Sequence, residues 1–197
     1  MSDWYRRTDW NAEIAADFEV RLGRARASSR AQYLALQGQA LLKGHPVEAE
    51  ALLERAIAAG EPSEIPRAGC YLALSRVAQG KIDAAIDAYE KAIAAERRNP
   101  AFRSTAGVDQ AFLIALFERR DLYAKAIEQL TMAARDDWSL AGLEALAAEA
   151  MIRDAGGEDG ASQLASEALQ LWPDVGQAAW AGISLERLRS RLEEIAK

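Results

Sequence analysis

The feature that most constrains this chain is a helical pattern of small residues that recurs along it. In residues 80–93, GKIDAAIDAYEKAI, apolar residues follow one another at the three-and-four spacing of one helical face, and charged residues occupy the other face. Three further segments repeat this spacing. The small residues in equivalent places are Ala49, Ala85, Ala126 and Ala161, at intervals of 36, 41 and 35 residues. The chain is therefore predicted to be built from similar amphipathic helices.

A second helical segment precedes each of these four. Residues with high helix propensity are common throughout, and no alternating run of β-branched and polar residues indicates a strand. The preceding segments are residues 29–43, 66–79, 105–120 and 139–154. Each unit is thus predicted to be a helix, a short turn and a second helix, and the fold is predicted to be all-α.

The small residues explain how the paired helices would pack. Two antiparallel helices approach to about 8–10 Å only where the side chains between them are small. Ala85 and Ala92 would admit the partner helix, while Tyr89 would fill the layer between neighbouring units.

This pattern resembles the tetratricopeptide repeat (TPR), a helix–turn–helix unit of about 34 residues. The matching triplets in the second helices are Ala49/Leu53/Ala56, Ala85/Tyr89/Ala92, Ala126/Leu130/Ala133 and Ala161/Ala165/Ala168. The resemblance covers about residues 29–173 and implies a right-handed α-solenoid of about four units. The implied units are about 29–62, 66–100, 105–137 and 139–173, with end segments 1–28 and 174–197.

Repeat arrays need capping segments at their ends, and the chain offers a helix at each. Asn11 is predicted to cap the N-terminal helix, and Ser184 is predicted to cap the C-terminal helix. The apolar faces of these helices are Ile14, Phe18 and Leu22 in the first and Leu185, Leu188, Leu192 and Ile195 in the second.

Composition and charge narrow the function classes. The net charge of −6 and a pI near 5.0 argue against a general binder of the phosphate backbone, so no nucleic-acid partner is expected. The first ten residues, MSDWYRRTDW, lack the apolar run of a signal peptide, and no stretch of about 18 apolar residues occurs. We therefore expect a cytoplasmic protein with no membrane partner.

No motif of a known catalytic or cofactor site is present in the sequence. His45, the sole histidine, precedes Pro46 and is expected to be a turn residue. Cys70, the sole cysteine, is expected to be a small core residue. Residues 154–160 carry three carboxylates among glycines but lack the ligand alternation of an EF-hand, so a turn is expected there. We expect no enzymatic activity, metal or cofactor.

The tryptophans are informative by position. Trp4 and Trp10 flank a short polar stretch before the first helix. They are expected either to staple this stretch onto the array or to act as anchors for a partner, and we favour the staple. Trp138, Trp172 and Trp180 lie near helix boundaries and are expected to pack between units.

The resemblance also implies a binding surface. In TPR proteins, the first helices of the units line a concave groove that binds peptides or partner helices. The groove residues transferred by alignment are Leu34, Arg67, Cys70, Leu74, Val108, Glu118, Arg119 and Arg153. Asparagine, which some members use to clamp a C-terminal carboxylate, occurs only at positions 11 and 99, outside these helices.

Three functions remain open on these grounds. The first, which we favour, is a non-catalytic scaffold that binds a protein or peptide in the groove. The second is a structural protein that associates with a second copy of itself. The third is a small-molecule sensor or a carboxylate-dependent enzyme built on the same helices.

Overall fold

A computed structural model of the chain describes residues 3–132, 140–172 and 183–197. These residues form ten α-helices and one short 3-10 helix, and no strand occurs among them. The prediction of an all-α chain is therefore confirmed. Ala133, Trp138, Pro173 and Trp180 lie outside the described residues.

The helices alternate with short turns, as the repeat pattern predicts. In chain order they are α1 (Ala12–Arg24), α2 (Ala27–Leu41), α3 (Pro46–Ala58), α4 (Ile65–Ala78), α5 (Ile82–Arg98), α6 (Ala106–Leu116), the 3-10 helix Arg120–Leu122, α7 (Tyr123–Met132), α8 (Leu140–Gly156), α9 (Ala161–Leu171) and α10 (Leu185–Ile195). Helices α2 and α3 pack as a pair, as do α4 and α5, α6 and α7, and α8 and α9. These pairs correspond to the predicted helix–turn–helix units.

The chain divides into two compact units, Met1–Ser104 and Thr105–Lys197. Within the first unit, α3 also packs on α4, which joins its two helix pairs. Within the second unit, α6 packs on α8, and α10 packs on α8 and α9. The packing of adjacent helices in each unit is consistent with a helical repeat.

Small residues set the spacing of the paired helices in the first unit. Ala85, Tyr89 and Ala92 of α5 are all buried. Gly69 of α4 lies directly against α5, because a Cβ added to Gly69 would be 2.8 Å from the Cβ of Ala92. The predicted close approach of the paired helices is therefore confirmed at α4 and α5.

The first helices of three pairs end in the same turn. The backbone hydrogen bonds that close these turns are Lys81 N to Arg76 O, Arg119 N to Ile114 O and Glu158 N to Arg153 O, each 2.9 Å long. This bond spans five residues, as in the Schellman motif, and the residue before the donor adopts a left-handed conformation. Glycine holds that position in two of the turns, as Gly80 and Gly157, but Glu118 holds it in the third with φ of 50°.

The two terminal helices begin at the predicted caps. The Asn11 side chain accepts a hydrogen bond from Ile14 N at 2.9 Å, and the Ser184 hydroxyl accepts one from Arg187 N at 3.4 Å. The residues that these helices bury are Phe18 and Leu22 in α1 and Leu188, Leu192 and Ile195 in α10. Both helices therefore turn the predicted faces inward.

Among the described helices, none is both long enough and apolar enough to cross a lipid bilayer.

Candidate functional site

Several predicted groove residues lie in the core. Leu34, Cys70 and Val108 expose only 4%, 7% and 7% of their surface. They therefore offer little surface to a partner. Leu74 of α4 is half-buried and presents more.

Cys70 takes the structural role that its sequence context predicts. It is a buried thiol, and its Sγ donates to the Ser104 hydroxyl at 3.3 Å. The Glu96 carboxylate accepts from both the backbone N–H, at 2.9 Å, and the hydroxyl of Ser104. These bonds tie the end of the first unit to α4 and α5. His45 likewise precedes α3 as its N-cap residue, as predicted.

The predicted groove arginines bind carboxylates of their own chain. Arg67 pairs with Glu64, three residues before it in the chain. Arg153 donates to the Glu149 carboxylate at 2.8 Å, and Arg119 lies 3.8 Å from the Asp121 carboxylate. These local pairs stabilise the ends of the first helices.

The residues before α1, residues 3–10, form no helix and contain a turn at Trp4 and Tyr5; we name this segment the N-terminal arm. Its tryptophans pack on the helices that follow. The Trp4 ring centroid lies 5.4 Å from that of Phe18 and 5.0 Å from that of Tyr33. Trp10 lies 5.7 Å from Phe18. The predicted staple is therefore confirmed, whereas a role as partner anchors stays a prediction.

The arm is also held through its main chain. The Gln37 amide of α2 accepts from the backbone N–H of Arg7 at 3.0 Å and donates to the carbonyl of Arg7 at 2.7 Å. Gln37 is fully buried, at 0% exposure. A side-chain amide thus pairs with both backbone groups of one residue, as a neighbouring strand would.

The second unit contains an open cleft of about 1100 Å³, which we name the α6–α10 cleft. The cleft is bordered by the end of α6, the start of α7, the end of α8 and one face of α10. Its lining includes Phe117, Glu118, Arg120, Tyr123, Met151, Asp154, Glu186, Arg187, Leu188 and Arg191. If α10 is counted as the first helix of a further unit, the first helices of three successive units border the cleft. These helices are α6, α8 and α10.

Charges of both signs line the α6–α10 cleft. Arg191 is neutralised locally, because it lies 2.8 Å from Asp154 and 3.6 Å from Glu194. Arg120 and Arg187, by contrast, form no ion pair within the described part of the chain. Their guanidinium groups remain open to an acidic partner.

Apolar and aromatic side chains lie between these charges. Phe117 exposes 38% of its surface, which is unusual for a residue of its type. Burial raises the pKa of the Tyr123 hydroxyl, and the nearby Glu118 carboxylate raises it further. The Tyr123 hydroxyl is therefore a neutral hydrogen-bonding group at physiological pH.

Glu118 alone of the predicted groove residues lines this cleft. The sequence analysis did not predict the wall of the cleft that α10 forms, because α10 was interpreted only as a cap that buries one face. The sequence carried no distinct signal of this wall, because the charges on the remaining face of α10, Glu186, Arg187 and Arg191, are also what the solvent-facing side of a cap requires.

The described residues hold no cluster of three or more histidine, cysteine, aspartate or glutamate side chains suited to a metal ion. Comparison with protein-family models, with curated proteins and with solved structures found no match to this chain.

Proposed function

We propose that this chain is a non-catalytic scaffold of the TPR type, which holds a peptide or helix of a partner protein in the α6–α10 cleft. The observation that carries the proposal is Glu118, which lines the cleft in a left-handed conformation. Glycine would relieve this conformation, as it does in the equivalent turns at Gly80 and Gly157. Strained residues of this kind cluster at binding sites, where their side chains contribute to recognition.

The chemistry of the lining favours an amphipathic helix as the partner segment. Phe117 and Leu188 offer apolar contacts, and Arg120 and Arg187 add positive charge beside them. A helix that carries leucine-like residues on one face and acidic residues at its margins would match both features. Electrostatic attraction of this kind raises the association rate and selects among partners.

The proposal includes two further features, the handedness of the helix packing and the compartment. Successive helix pairs within each unit would stack with a right-handed twist, as in TPR proteins. The chain would act in the cytoplasm, where its single buried thiol fits a reducing compartment.

Charge reversal of the two unpaired arginines tests the proposal. An affinity pull-down from the native host would compare wild type with Arg120→Glu/Arg187→Glu, and the captured protein would be purified and its affinity measured by calorimetry. We expect the double variant to weaken binding about tenfold or more, because two attractive charges become repulsive. Both arginines are exposed, so the melting temperature should change little.

The matched control is Arg26→Glu/Lys197→Glu, which changes the net charge equally at exposed residues outside the cleft. It should retain the partner. Equal loss of binding in both variants would show that overall charge is responsible. Unchanged binding in the cleft variant would place the site elsewhere.

Self-association is distinguished by light scattering over a range of protein concentrations. A dimer that Arg120→Glu/Arg187→Glu disrupts would identify a second copy as the occupant of the cleft. A small-molecule role would appear as a ligand-dependent rise in melting temperature, because a ligand at 100 times its dissociation constant adds about 2.7 kcal/mol of stability.

A further inference from the structure

The N-terminal arm is bound to the first unit in the way that a protein binds a separate peptide. Its main chain is recognised at Arg7, where one side-chain amide engages both the N–H and the carbonyl. Because these groups occur in every residue except proline, the contact fixes the course of the chain without selecting a side chain. Gln37 therefore recognises the backbone of the arm and not a particular side chain.

Selectivity in this contact comes from aromatic rings. Trp4 lies 5.0 Å and Tyr5 lies 4.8 Å from the ring centroid of Tyr33, and Trp4 also packs on Phe18. Such tilted and edge-to-face pairs are favourable in addition to the apolar area that they bury. Two adjacent aromatic residues, Trp4 and Tyr5, are thus held three and two positions before Arg7, the residue whose backbone Gln37 binds.

The arm can leave without breaking a helix. Within the described part of the chain, the backbone of the arm forms one turn bond, Arg6 N to Asp3 O at 2.9 Å, and the pair of bonds to Gln37. Residues 6–9 are exposed, and α1 begins independently at its own cap, Asn11. Segments with few buried contacts and few internal hydrogen bonds open at the low end of the stability range.

We propose that Phe18, Tyr33 and Gln37 form a second binding site, for a peptide that carries two adjacent aromatic residues in a turn. Residues 4–7 are the tethered ligand of this site, and a partner segment of the same kind displaces them. The site lies in the first unit and shares no residue with the α6–α10 cleft. This proposal can therefore be correct even if the proposed function of the cleft is wrong, and the reverse also holds.

Because the arm is covalently joined to the unit that binds it, it competes strongly with a free peptide for the same site. A ligand joined to its site by a short linker has an effective concentration of about millimolar, so a free peptide of similar intrinsic affinity barely competes. Weakening the arm should therefore expose the site to added peptide. Any event that holds the arm away from this site would regulate the binding of the peptide.

The test uses the full chain and a fluorescent peptide of residues 2–10, SDWYRRTDW. Trp4→Ala/Tyr5→Ala removes the aromatic contacts of the arm and leaves Phe18, Tyr33 and Gln37 in place. We expect the peptide to bind this variant about tenfold or more tightly than wild type, as measured by fluorescence anisotropy. Equal affinity for the two proteins overturns the proposal.

A third substitution identifies the contact. In the Trp4→Ala/Tyr5→Ala background, Gln37→Ala should weaken the peptide about tenfold, because both backbone hydrogen bonds are lost. Gln32→Ala is the matched control, since Gln32 is an exposed residue of the same type on the same helix. No effect of Gln37→Ala, or an equal effect of Gln32→Ala, overturns the assignment.

Hydrogen exchange of the wild-type chain keeps the proposal testable even where a variant folds poorly. The amide of Arg7 should exchange about tenfold or more faster than the amides of Leu34 and Ala35 in α2, because arm release precedes unfolding of the unit. Equal rates would mean that the arm opens only when the whole unit unfolds, and would overturn the proposal. A concentration-dependent dimer abolished by Gln37→Ala would also overturn it, since the arm of a second copy would then be the occupant.

Discussion

At the scale of single residues, Glu118 stands apart from its equivalents in the other repeat units. An L-residue in the left-handed region brings its Cβ too close to the following carbonyl oxygen, which costs about 1–2 kcal/mol. Gly80 and Gly157 avoid this cost in the same turn. The strain in the third turn therefore resides in the residue that also lines the α6–α10 cleft.

Replacing Glu118 by glycine should raise the stability of the second unit. Glu118→Gly removes the Cβ conflict but gives the unfolded chain more freedom, so we expect a net gain of about 0.5–1 kcal/mol. Urea unfolding followed by circular dichroism measures the change as a shift of the midpoint to higher urea.

Glu158→Gly is the control for this prediction, because Glu158 is an exposed glutamate of the equivalent turn that lacks a positive φ. At position 158 no backbone strain is relieved, so glycine only raises the conformational entropy of the unfolded chain. Glu158→Gly should therefore lower the stability. Midpoints that shift downward in both variants would contradict the strain assigned to Glu118.

Glu118 also shows what sequence can supply at this scale. Alignment of the repeats places it at the end of a first helix, and hence beside a groove. Its left-handed conformation is not predictable from the sequence, because glutamate has no preference for that region and normally signals a continuing helix.

At the scale of helices, the pairs are held close by residues without long side chains. At the contact of α4 with α5, a Cβ added to Gly69 would meet Ala92, whose Cβ is fixed directly to the backbone. The side chain of Ala92 cannot rotate away, so any added atom must push the two helices apart.

Gly69→Ala should therefore destabilise the first unit, although alanine is normally preferred to glycine inside a helix by about 0.5–1 kcal/mol. Overpacking typically costs about 1–3 kcal/mol, which exceeds this gain. Thermal unfolding by calorimetry should show a lower melting temperature.

Gly23→Ala in α1 gives the opposite expectation from the same chemical change. A Cβ at Gly23 meets nothing within 4 Å, so only the helix preference remains and stability should rise or stay constant. A melting temperature that rises for Gly69→Ala as well would refute the close approach of α4 and α5.

Most helices could be predicted from the periodic pattern, because each buries a long apolar face against its pair. The main departures follow from local backbone. A turn was predicted at residues 154–160, but α8 continues to Gly156, and the turn is confined to the four residues before Ala161, where Gly157 and Gly160 both take positive φ. A 3-10 turn, Arg120–Leu122, precedes α7 for the same reason, as the chain recovers from the bend at Glu118.

At the scale of the whole molecule, each unit carries a carboxyl group with a shifted pKa, and the two shifts have opposite directions. In the first unit, burial alone would raise the pKa of Glu50, but hydrogen bonds from Lys81, Arg76 and Gln79 outweigh it and lower the pKa to about 2. In the second unit, burial raises the pKa of Glu144 well above its usual value, and the adjacent Asp109 raises it further. Glu144 exposes only 6% of its surface.

The two units should therefore respond to pH with opposite sign. Glu50 contributes stability above its unfolded pKa of 4.5, and this contribution is lost as pH falls towards about 2. Glu144 contributes fully below its unfolded pKa of 4.5, and its contribution is lost as pH rises through the raised folded pKa.

Glutamine substitutions measured by urea unfolding at several pH values test both signs. Glu50→Gln should cost about 1–2 kcal/mol at neutral pH, less than the full shift implies because the network is partly exposed, and the cost should vanish near pH 2. Glu144→Gln should stabilise the chain at neutral and alkaline pH and have no effect at or below pH 4.5.

Glu54→Gln is the control for the first unit, because Glu54 accepts one bond from Arg76 at 2.9 Å and its side chain is 55% exposed. Its effect should be within about 0.5 kcal/mol at every pH. Two variants whose effects change in the same direction with pH would contradict the assignment.

The arrangement at this scale was only partly foreseeable. An all-α chain of packed helix pairs follows from the repeated pattern, but the division after Ser104 has no marker beyond the longer connection that precedes α6. The α6–α10 cleft depends on where α10 lies against α8 and α9, and such long-range contacts leave no period in the sequence.

The contact between Gly69 and Ala92 has a consequence for how this sequence can diverge. Gly69 cannot enlarge without a shift of α4 against α5, but a serine or alanine at 69 becomes acceptable once Ala92 is replaced by glycine. Substitutions at these two positions are therefore bound to arise in a fixed order, and descendants of this chain inherit them as linked changes.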